Sequence, residues 1–229
     1  MGNGASSDTA IFALDPFVGV TPLDDDDPIF DHMVTARLGA EHVSHADEVI
    51  DSLCVQLERN NTMTCNFQKL LRNVVRRVRE VHALAPAGVS EELAGSTANA
   101  LFVSRIFLRG LIQRSEDLGS LRAAHLLRPG EAIDDARGGI AGELFRAMVD
   151  VIVDVDRSPG TSPLLIEACL FVLTLLCVQM YSPLSDPPTA LLASTLCADY
   201  RGAELGRALL LHLTYAPLPP AAAAAASAS

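Results

Sequence analysis

The chain has 229 residues, of which 49% are hydrophobic and 20% charged, so it can bury a large core without a disulfide framework. Its formal net charge is −11 and its pI about 4.9, which gives no overall positive charge for binding nucleic acid phosphates. The five cysteines form no CxxC pair and lie within apolar helical patterns, as free thiols in a reducing compartment do. We therefore expect a folded protein facing the cytoplasm that binds no nucleic acid.

Residues 1–27 are predicted to be a flexible acidic arm. The first 36 residues contain seven acidic residues and no Lys or Arg, with Gly, Ser and Pro scattered among them. At the end of the acidic run, Asp27 is expected to cap a helix that begins at Pro28, because a carboxylate accepts the free N–H groups of the first turn and proline has none to lose.

Residues 28–215 are predicted to form an α-helical domain. Apolar residues recur at the helical period throughout, and no strand alternation competes with them. The predicted helices are 43–59, 66–84, 97–114, 141–155, 163–181, 187–199 and 203–215. Pro- and Gly-containing breaks separate them, so we predict an all-α fold of helical hairpins stacked in an armadillo- or HEAT-like array. Residues 216–229 read as a Pro/Ala-rich linker or tail, which suggests a partial chain.

The start of the chain carries a lipidation motif. Residues 1–6, Met-Gly-Asn-Gly-Ala-Ser, match the M-G-x-x-x-[ST] pattern of N-myristoylation, which needs a free glycine amine and a nearby hydroxyl. Gly2 is therefore the predicted acceptor. One myristoyl chain binds membranes only weakly and reversibly, so stable attachment needs a second signal.

A basic face on the predicted helix 66–84 is the candidate for that second signal. Lys69, Arg72, Arg76 and Arg79 lie opposite the apolar stripe and could attract anionic lipid or a partner. A solvated helix face with local charge pairing explains the same residues and is the simpler interpretation.

Other constellations give little support for chemistry. His42 and His45 are three residues apart but lack a third ligand at metal spacing, so we predict neither a metal site nor a cofactor. Gly138–Gly142 precedes a helix without the strand or the lysine of a phosphate-binding loop. Because no cysteine or serine stands in a recognisable nucleophile motif, we predict no catalytic residues, no small-molecule substrate and no enzyme.

Several short motifs, taken in order, resemble the N-terminal part of the dymeclin family. After the Gly2 start, they are Asp27-Pro28-Ile29-Phe30, Glu58-Arg59-Asn60-Asn61, Thr64, Asn66, Asn99-Ala100-Leu101-Phe102, Gly142-Glu143-Leu144, the helix 167–181 and Leu209-Leu210-Leu211-His212-Leu213. Family members are longer, so the resemblance covers an N-terminal half or third of them.

The resemblance implies a myristoylated, all-helical peripheral membrane protein without known catalysis. It implies a role in Golgi organisation and vesicle trafficking, with Golgi membrane and Golgi or trafficking proteins as partners, and a location in the cytoplasm and on the cytosolic face of the Golgi membrane. A soluble cytosolic helical-repeat adaptor without a lipid anchor explains the same helical pattern, and an enzyme or metalloprotein is the third class left open.

Overall fold

The structure is a computed structural model that describes residues 14–35, 40–115, 121, 125–126, 139–177 and 201–214. These residues form helices and connecting turns, with no strand among them, which confirms the predicted all-α class. The α-helices are α1 (Asp15–Val18), α2 (Pro28–Thr35), α3 (Ala40–Thr64), α4 (Asn66–Leu84), α5 (Glu91–Arg114), α6 (Gly139–Asp154), α7 (Ser162–Cys177) and α8 (Gly202–Thr214). A 3₁₀ turn (Ala85–Ala87) follows α4.

Helix α4 forms where the apolar stripe was predicted, with the same bounds. Its stripe is buried, and Phe67, Leu70, Val74, Val78 and Val81 are each at most 1% exposed. Cys65 separates α3 from α4 in a left-handed conformation (φ 55°), which turns the chain between two helices that would otherwise run on.

Four of the helices form a ring of pairwise contacts. Helix α4 packs on α6, α6 on α7, α7 on α5, and α5 returns to α4, while α2 contacts α5 and α8 contacts α6. The ring encloses large apolar side chains that include Leu101, Phe107, Phe145, Met148 and Phe171. The α4–α5 and α6–α7 pairs are sequential hairpins, whereas an armadillo- or HEAT-like stacking of them stays a prediction.

The segment 14–27 differs from the flexible arm predicted for residues 1–27. Leu14, Phe17 and Val18 are buried, and the Phe17 ring lies 5.1 Å from the Phe107 ring, centroid to centroid. Burial of these three apolar side chains contributes to the docking of α1 on the core. Residues 1–13 and the tail 216–229 lie outside the described residues.

Helix bounds elsewhere follow the prediction closely, with differences at the ends. Helix α2 begins at Pro28, and the Ile29 N–H donates to Asp27 Oδ1 at 2.9 Å, as the predicted cap requires. Helix α5 starts at Glu91, six residues earlier than predicted, because Ser90 caps it by accepting from the Leu93 N–H. The predicted helix 187–199 lies outside the described residues. None of the described helices is long and apolar enough to span a membrane.

Candidate functional site

The four residues of the predicted basic face lie together on α4. Lys69, Arg72, Arg76 and Arg79 follow one another at three- and four-residue spacing, away from the buried stripe of that helix. Gly2, the predicted lipidation residue, lies outside the described residues, so its distance from this face is not defined by the structure.

Two residues of the basic face bind the N-terminal segment. Lys69 Nζ donates to the Leu23 carbonyl, and Arg72 Nη2 forms an ion pair with Asp25 at 2.9 Å. One residue outside the predicted set binds α2 instead, since Arg77 Nη2 pairs with Asp31 at 2.6 Å. The acidic segment that follows α1 therefore neutralises part of α4 from within the chain.

The other two residues of the basic face, Arg76 and Arg79, have weaker contacts with acidic side chains. Arg79 Nη2 lies 3.4 Å from Glu143 Oε2 of α6, and the Arg79 side chain is 60% exposed. Arg76 Nη2 donates to Asn73 Oδ1 at 3.4 Å on its own helix, and among the described residues it has no acidic partner. Arg76 and Arg79 are therefore the members of this face best placed to meet an external anion.

Sequence reasoning missed the role of three asparagines where α3 meets α4, which we call the asparagine junction (Asn60, Asn61 and Asn66); Asn61 and Asn66 are fully buried and Asn60 is half-buried. Asn66 Nδ2 donates to the carbonyls of Phe17 (3.0 Å) and Thr21 (3.1 Å), and Asn66 Oδ1 accepts from the Leu23 N–H at 2.9 Å. Asn60 Nδ2 donates to the Val18 carbonyl at 2.8 Å. The junction thus holds the N-terminal segment against α4 through its backbone.

Asn61, which is fully buried, organises the other side of the asparagine junction. Its Oδ1 accepts from the Phe67 N–H at 2.8 Å, and its Nδ2 donates to Gln68 Oε1 at 2.9 Å. The same Nδ2 lies 3.0 Å from His125 Nδ1. Burial lowers the pKa of His125 to about 4, so the ring is neutral at pH 7 and its Nδ1 can accept a hydrogen bond from Asn61 Nδ2. In the sequence, Asn60, Asn61 and Asn66 stood out only as members of the motifs that carry the family resemblance.

Comparison with known protein families supplies the decisive observation. Residues 1–228 match the family described as Dymeclin: Dyggve-Melchior-Clausen syndrome protein. The chain belongs to the dymeclin family. No curated protein and no solved structure matched the chain significantly.

Dymeclin-family membership supports a dymeclin-like role, and dymeclin is not known as an enzyme family. Within the part of the chain that the structure describes, no group of three His, Cys, Asp or Glu side chains is arranged to hold a metal ion. The side chains of His42 and His45 are outside that part. The motifs that carried the resemblance now have structural partners, since Asn60, Asn66 and Asn99 each donate to a backbone carbonyl of the segment 17–34.

The dymeclin-family chain also presents a groove between α5 and α7. Its volume is about 560 Å³, and Leu170 and Leu173 line it together with Arg105 and Arg109. Arg105 is held by Glu167 through two hydrogen bonds of 3.0 and 3.3 Å. Leu173 is 55% exposed, so the groove offers apolar surface beside basic side chains.

Arg201 attaches α8 of the dymeclin-family chain to α6. Its guanidinium pairs with Asp150, with Asp154 at 2.6 Å and with Glu204 at 3.1 Å, and these hydrogen bonds raise the pKa of Arg201. Asp154 also lies 2.8 Å from His82 Nε2 of α4, and the bond from Arg201 lowers the pKa of the Asp154 carboxyl. These pairs join α4, α6 and the start of α8.

Proposed function

We propose that this protein is a non-enzymatic peripheral membrane scaffold of the dymeclin type that acts in Golgi organisation and vesicle trafficking. An N-myristoyl group on Gly2 attaches it reversibly to the cytosolic face of the Golgi membrane, and its partners are Golgi or trafficking proteins. The observation that carries the proposal is the match to the dymeclin family over residues 1–228, together with the M-G-x-x-x-S start of the sequence.

The docking of α1 supports a short tether for the lipid. Eleven residues, 3–13, separate Gly2 from Leu14, which is buried in the core. Even a fully extended chain of this length spans only about 40 Å. An acyl group on Gly2 would therefore lie no farther than about 40 Å from Leu14.

The charge distribution supports reversible rather than permanent attachment. A single myristoyl chain gives a membrane association constant of about 10⁴ M⁻¹. The basic face would add to this, but Asp25 pairs with Arg72 and Glu143 pairs with Arg79. Because these acids offset the attraction to anionic lipid, we expect the acyl chain to dominate and the protein to exchange with the cytoplasm.

Gly2→Ala tests the proposal directly, with Gly4→Ala as the matched glycine control. Both variants and the parent are expressed in cells fed an alkyne analogue of myristate, and membrane and cytosolic fractions are compared. We expect the parent and Gly4→Ala to be labelled and to appear partly with Golgi membranes. Gly2→Ala should be unlabelled and cytosolic, and unchanged partitioning of Gly2→Ala would contradict lipid attachment.

A soluble helical-repeat adaptor is the second candidate, and the α5–α7 groove favours it. Ile166, Leu170 and Leu173 recur along α7 at the spacing of one helix face and are 56%, 37% and 55% exposed. An exposed apolar stripe of this kind is typical of a surface that binds a partner helix. The labelling experiment separates the candidates, because an adaptor without a lipid leaves the parent unlabelled at Gly2.

A further inference from the structure

A cleft separates the basic side of α4 from the N-terminal end of α6. Its volume is about 320 Å³, and the residues that line it, here called the arginine cleft, are Arg72, Val75, Arg76, Arg79, Ile140 and Glu143. Val75 and Ile140 are 4% and 1% exposed, so the inner part of the cleft is apolar. The charged groups lie at the rim of this apolar floor, where the Arg79 and Arg72 side chains are 60% and 37% exposed.

The charges in the arginine cleft are unbalanced towards positive. Among the described residues that line it, three guanidinium groups face one carboxylate, that of Glu143, while Asp25 reaches Arg72 from outside the lining. Arg79 Nη2 and Glu143 Oε2 are 3.4 Å apart, a longer separation than the 2.9 Å of the Arg72–Asp25 pair. Arg72 Nε is buried and has no hydrogen-bond partner there. The cleft therefore holds donors that its own acids do not use.

The start of α6 adds to the same preference. Ile140, the second residue of α6, lines the arginine cleft, and the first turn of α6 contains no acidic residue. The positive end of the α6 dipole therefore lies at the wall of the cleft, where it favours a negative group.

We propose that the arginine cleft binds a phosphate monoester. A dianion with three equivalent oxygens can be held by two or three guanidinium groups at once, whereas a carboxylate satisfies only one of them. Binding exchanges partners: Arg79 leaves Glu143, Arg72 leaves Asp25, and Arg76 gains an acidic partner. The volume admits one phosphate group and a small part of its carrier, which fits a headgroup or small metabolite rather than a polymer.

This inference goes beyond the proposed membrane function, because the cleft requires neither the acyl chain nor the Golgi. The protein used to test it is therefore the full chain without myristate. If the unmyristoylated chain binds no phosphate, the labelling result at Gly2 still stands. If Gly2 is not labelled, phosphate binding to the cleft can still be measured.

The first experiment titrates the unmyristoylated chain with inorganic phosphate and follows binding by calorimetry. We expect the double variant Arg76→Gln/Arg79→Gln to bind at least about tenfold more weakly than the parent, since it loses charge-assisted hydrogen bonds. The matched control is Arg109→Gln/Arg207→Gln, which removes two exposed arginines outside the cleft and the same total charge. No binding by the parent, or equal losses in the two double variants, would overturn the proposal.

A second pair of variants tests the site without removing an arginine. Glu143→Gln removes the competing carboxylate and should tighten phosphate binding severalfold, whereas Asp156→Asn makes the same charge change in the α6–α7 loop and should not. If both variants change phosphate affinity equally, overall charge explains the binding, and the proposal of a site in the cleft is wrong.

Vesicles distinguish a lipid headgroup from a free phosphate. Phosphatidylcholine vesicles are doped with phosphatidic acid, which carries a phosphate monoester, or with phosphatidylserine, which is anionic but carries only a diester. If the ligand is a lipid headgroup, the protein should be retained on phosphatidic acid vesicles alone, and Arg76→Gln/Arg79→Gln should abolish the retention. If the ligand is a free phosphate compound, the protein should bind inorganic phosphate in solution and be retained on neither kind of vesicle. Equal retention on both anionic lipids would reduce the face to general charge attraction and count against the site.

Discussion

The approach of α5 to α3 depends on a single missing side chain. Gly110 of α5 faces Cys54 of α3, and a Cβ at position 110 would lie 3.0 Å from the Cys54 Cβ and overlap its sulfur. Cys54 is 1% exposed, and burial raises the pKa of its thiol to about 11, so it packs as a small neutral group. The α3–α5 contact is therefore set by the smallest residue on one helix and a thiol on the other.

We expect Gly110→Ala to lower the free energy of unfolding by about 1 to 3 kcal/mol, because the added methyl group must displace Cys54 or part the helices. Chemical denaturation measures it. Gly95→Ala is the control on the same helix: nothing lies within 4 Å of its Cβ position, so it should be neutral or stabilise by up to about 1 kcal/mol. Adding Cys54→Ala to Gly110→Ala should recover part of the loss, and strict additivity of the two changes would contradict the contact.

His125 makes stability depend on pH. It is 3% exposed, and its pKa in the folded chain is about 4, below the value of about 6.5 that an unfolded histidine has. The unfolded state therefore binds more protons between these two values, and stability must rise with pH across that window. Above the upper value both states are neutral, and the contribution is fully present.

Between pH 6.5 and 4 we expect the parent to lose about 3 kcal/mol of stability through His125. The variant His125→Gln has no titrating group at this position, so its free energy of unfolding should fall by about 3 kcal/mol less than that of the parent over the same pH range. Its stability at neutral pH does not affect this comparison. Urea denaturation of both proteins across the window measures the difference, in which the contributions of carboxylates cancel. Parallel pH profiles would show that His125 titrates alike in the folded and unfolded states and would contradict the lowered pKa.

At the scale of the elements, amphipathic pattern and capping chemistry determine how well a helix is predicted. The bounds of α4 follow from its regular stripe, since Phe67 to Val81 recur at i, i+3 and i+4. The start of α5 was missed because Ser90 and the acids Glu91 and Glu92 signal a helix start without apolar periodicity. Helix α1 was missed because four residues give no period, and its docking depends on asparagines 42 to 49 residues away.

The asparagine junction holds α1, and Asn66→Asp tests it. A carboxylate at position 66 keeps the shape and still accepts from Leu23, but it cannot donate to Phe17 and Thr21 and would be charged where the residue is fully buried. We expect a loss of about 3 kcal/mol. Hydrogen exchange in the segment 14–27 should increase in parallel.

Asn73→Asp on the same helix is the matched control. Asn73 accepts hydrogen bonds from Arg76 and Arg77, which a carboxylate accepts equally well, so stability should be unchanged or slightly raised. If both variants lose the same free energy of unfolding, the added negative charge on α4 explains the result, and the hydrogen bonds of the asparagine junction do not.

For the molecule as a whole, net charge and local charge act in opposite directions. The chain carries 28 acidic and 17 basic residues, so an anionic membrane repels it at long range. The basic face attracts the same membrane only at short range, and acids from α6 and from the N-terminal segment oppose it. These acids, Asp25 and Glu143, lie 47 and 64 residues away from Arg72 and Arg79 in the sequence. No local sequence pattern reaches that far, so the basic face could be predicted but its partial neutralisation could not.

If repulsion dominates, binding of the myristoylated chain to phosphatidylserine vesicles should rise when salt is increased from about 0.01 to 0.15 M, because the Debye length falls from about 30 to 8 Å. Binding to neutral vesicles should not change. Sedimentation with vesicles measures both. A fall in binding with salt would instead assign the dominant contribution to the basic face.

The docking of α1 also has a consequence for synthesis on the ribosome. The hydrogen bonds and ion pairs that fix residues 17–31 span 42 to 49 residues of chain. At about 5 to 20 residues per second, the partners on α3 and α4 are made about 2 to 10 s after the segment they hold. During that interval the start of the nascent chain has no partner to dock on, so the Gly2 amine is open to an acylating enzyme before the segment behind it is fixed.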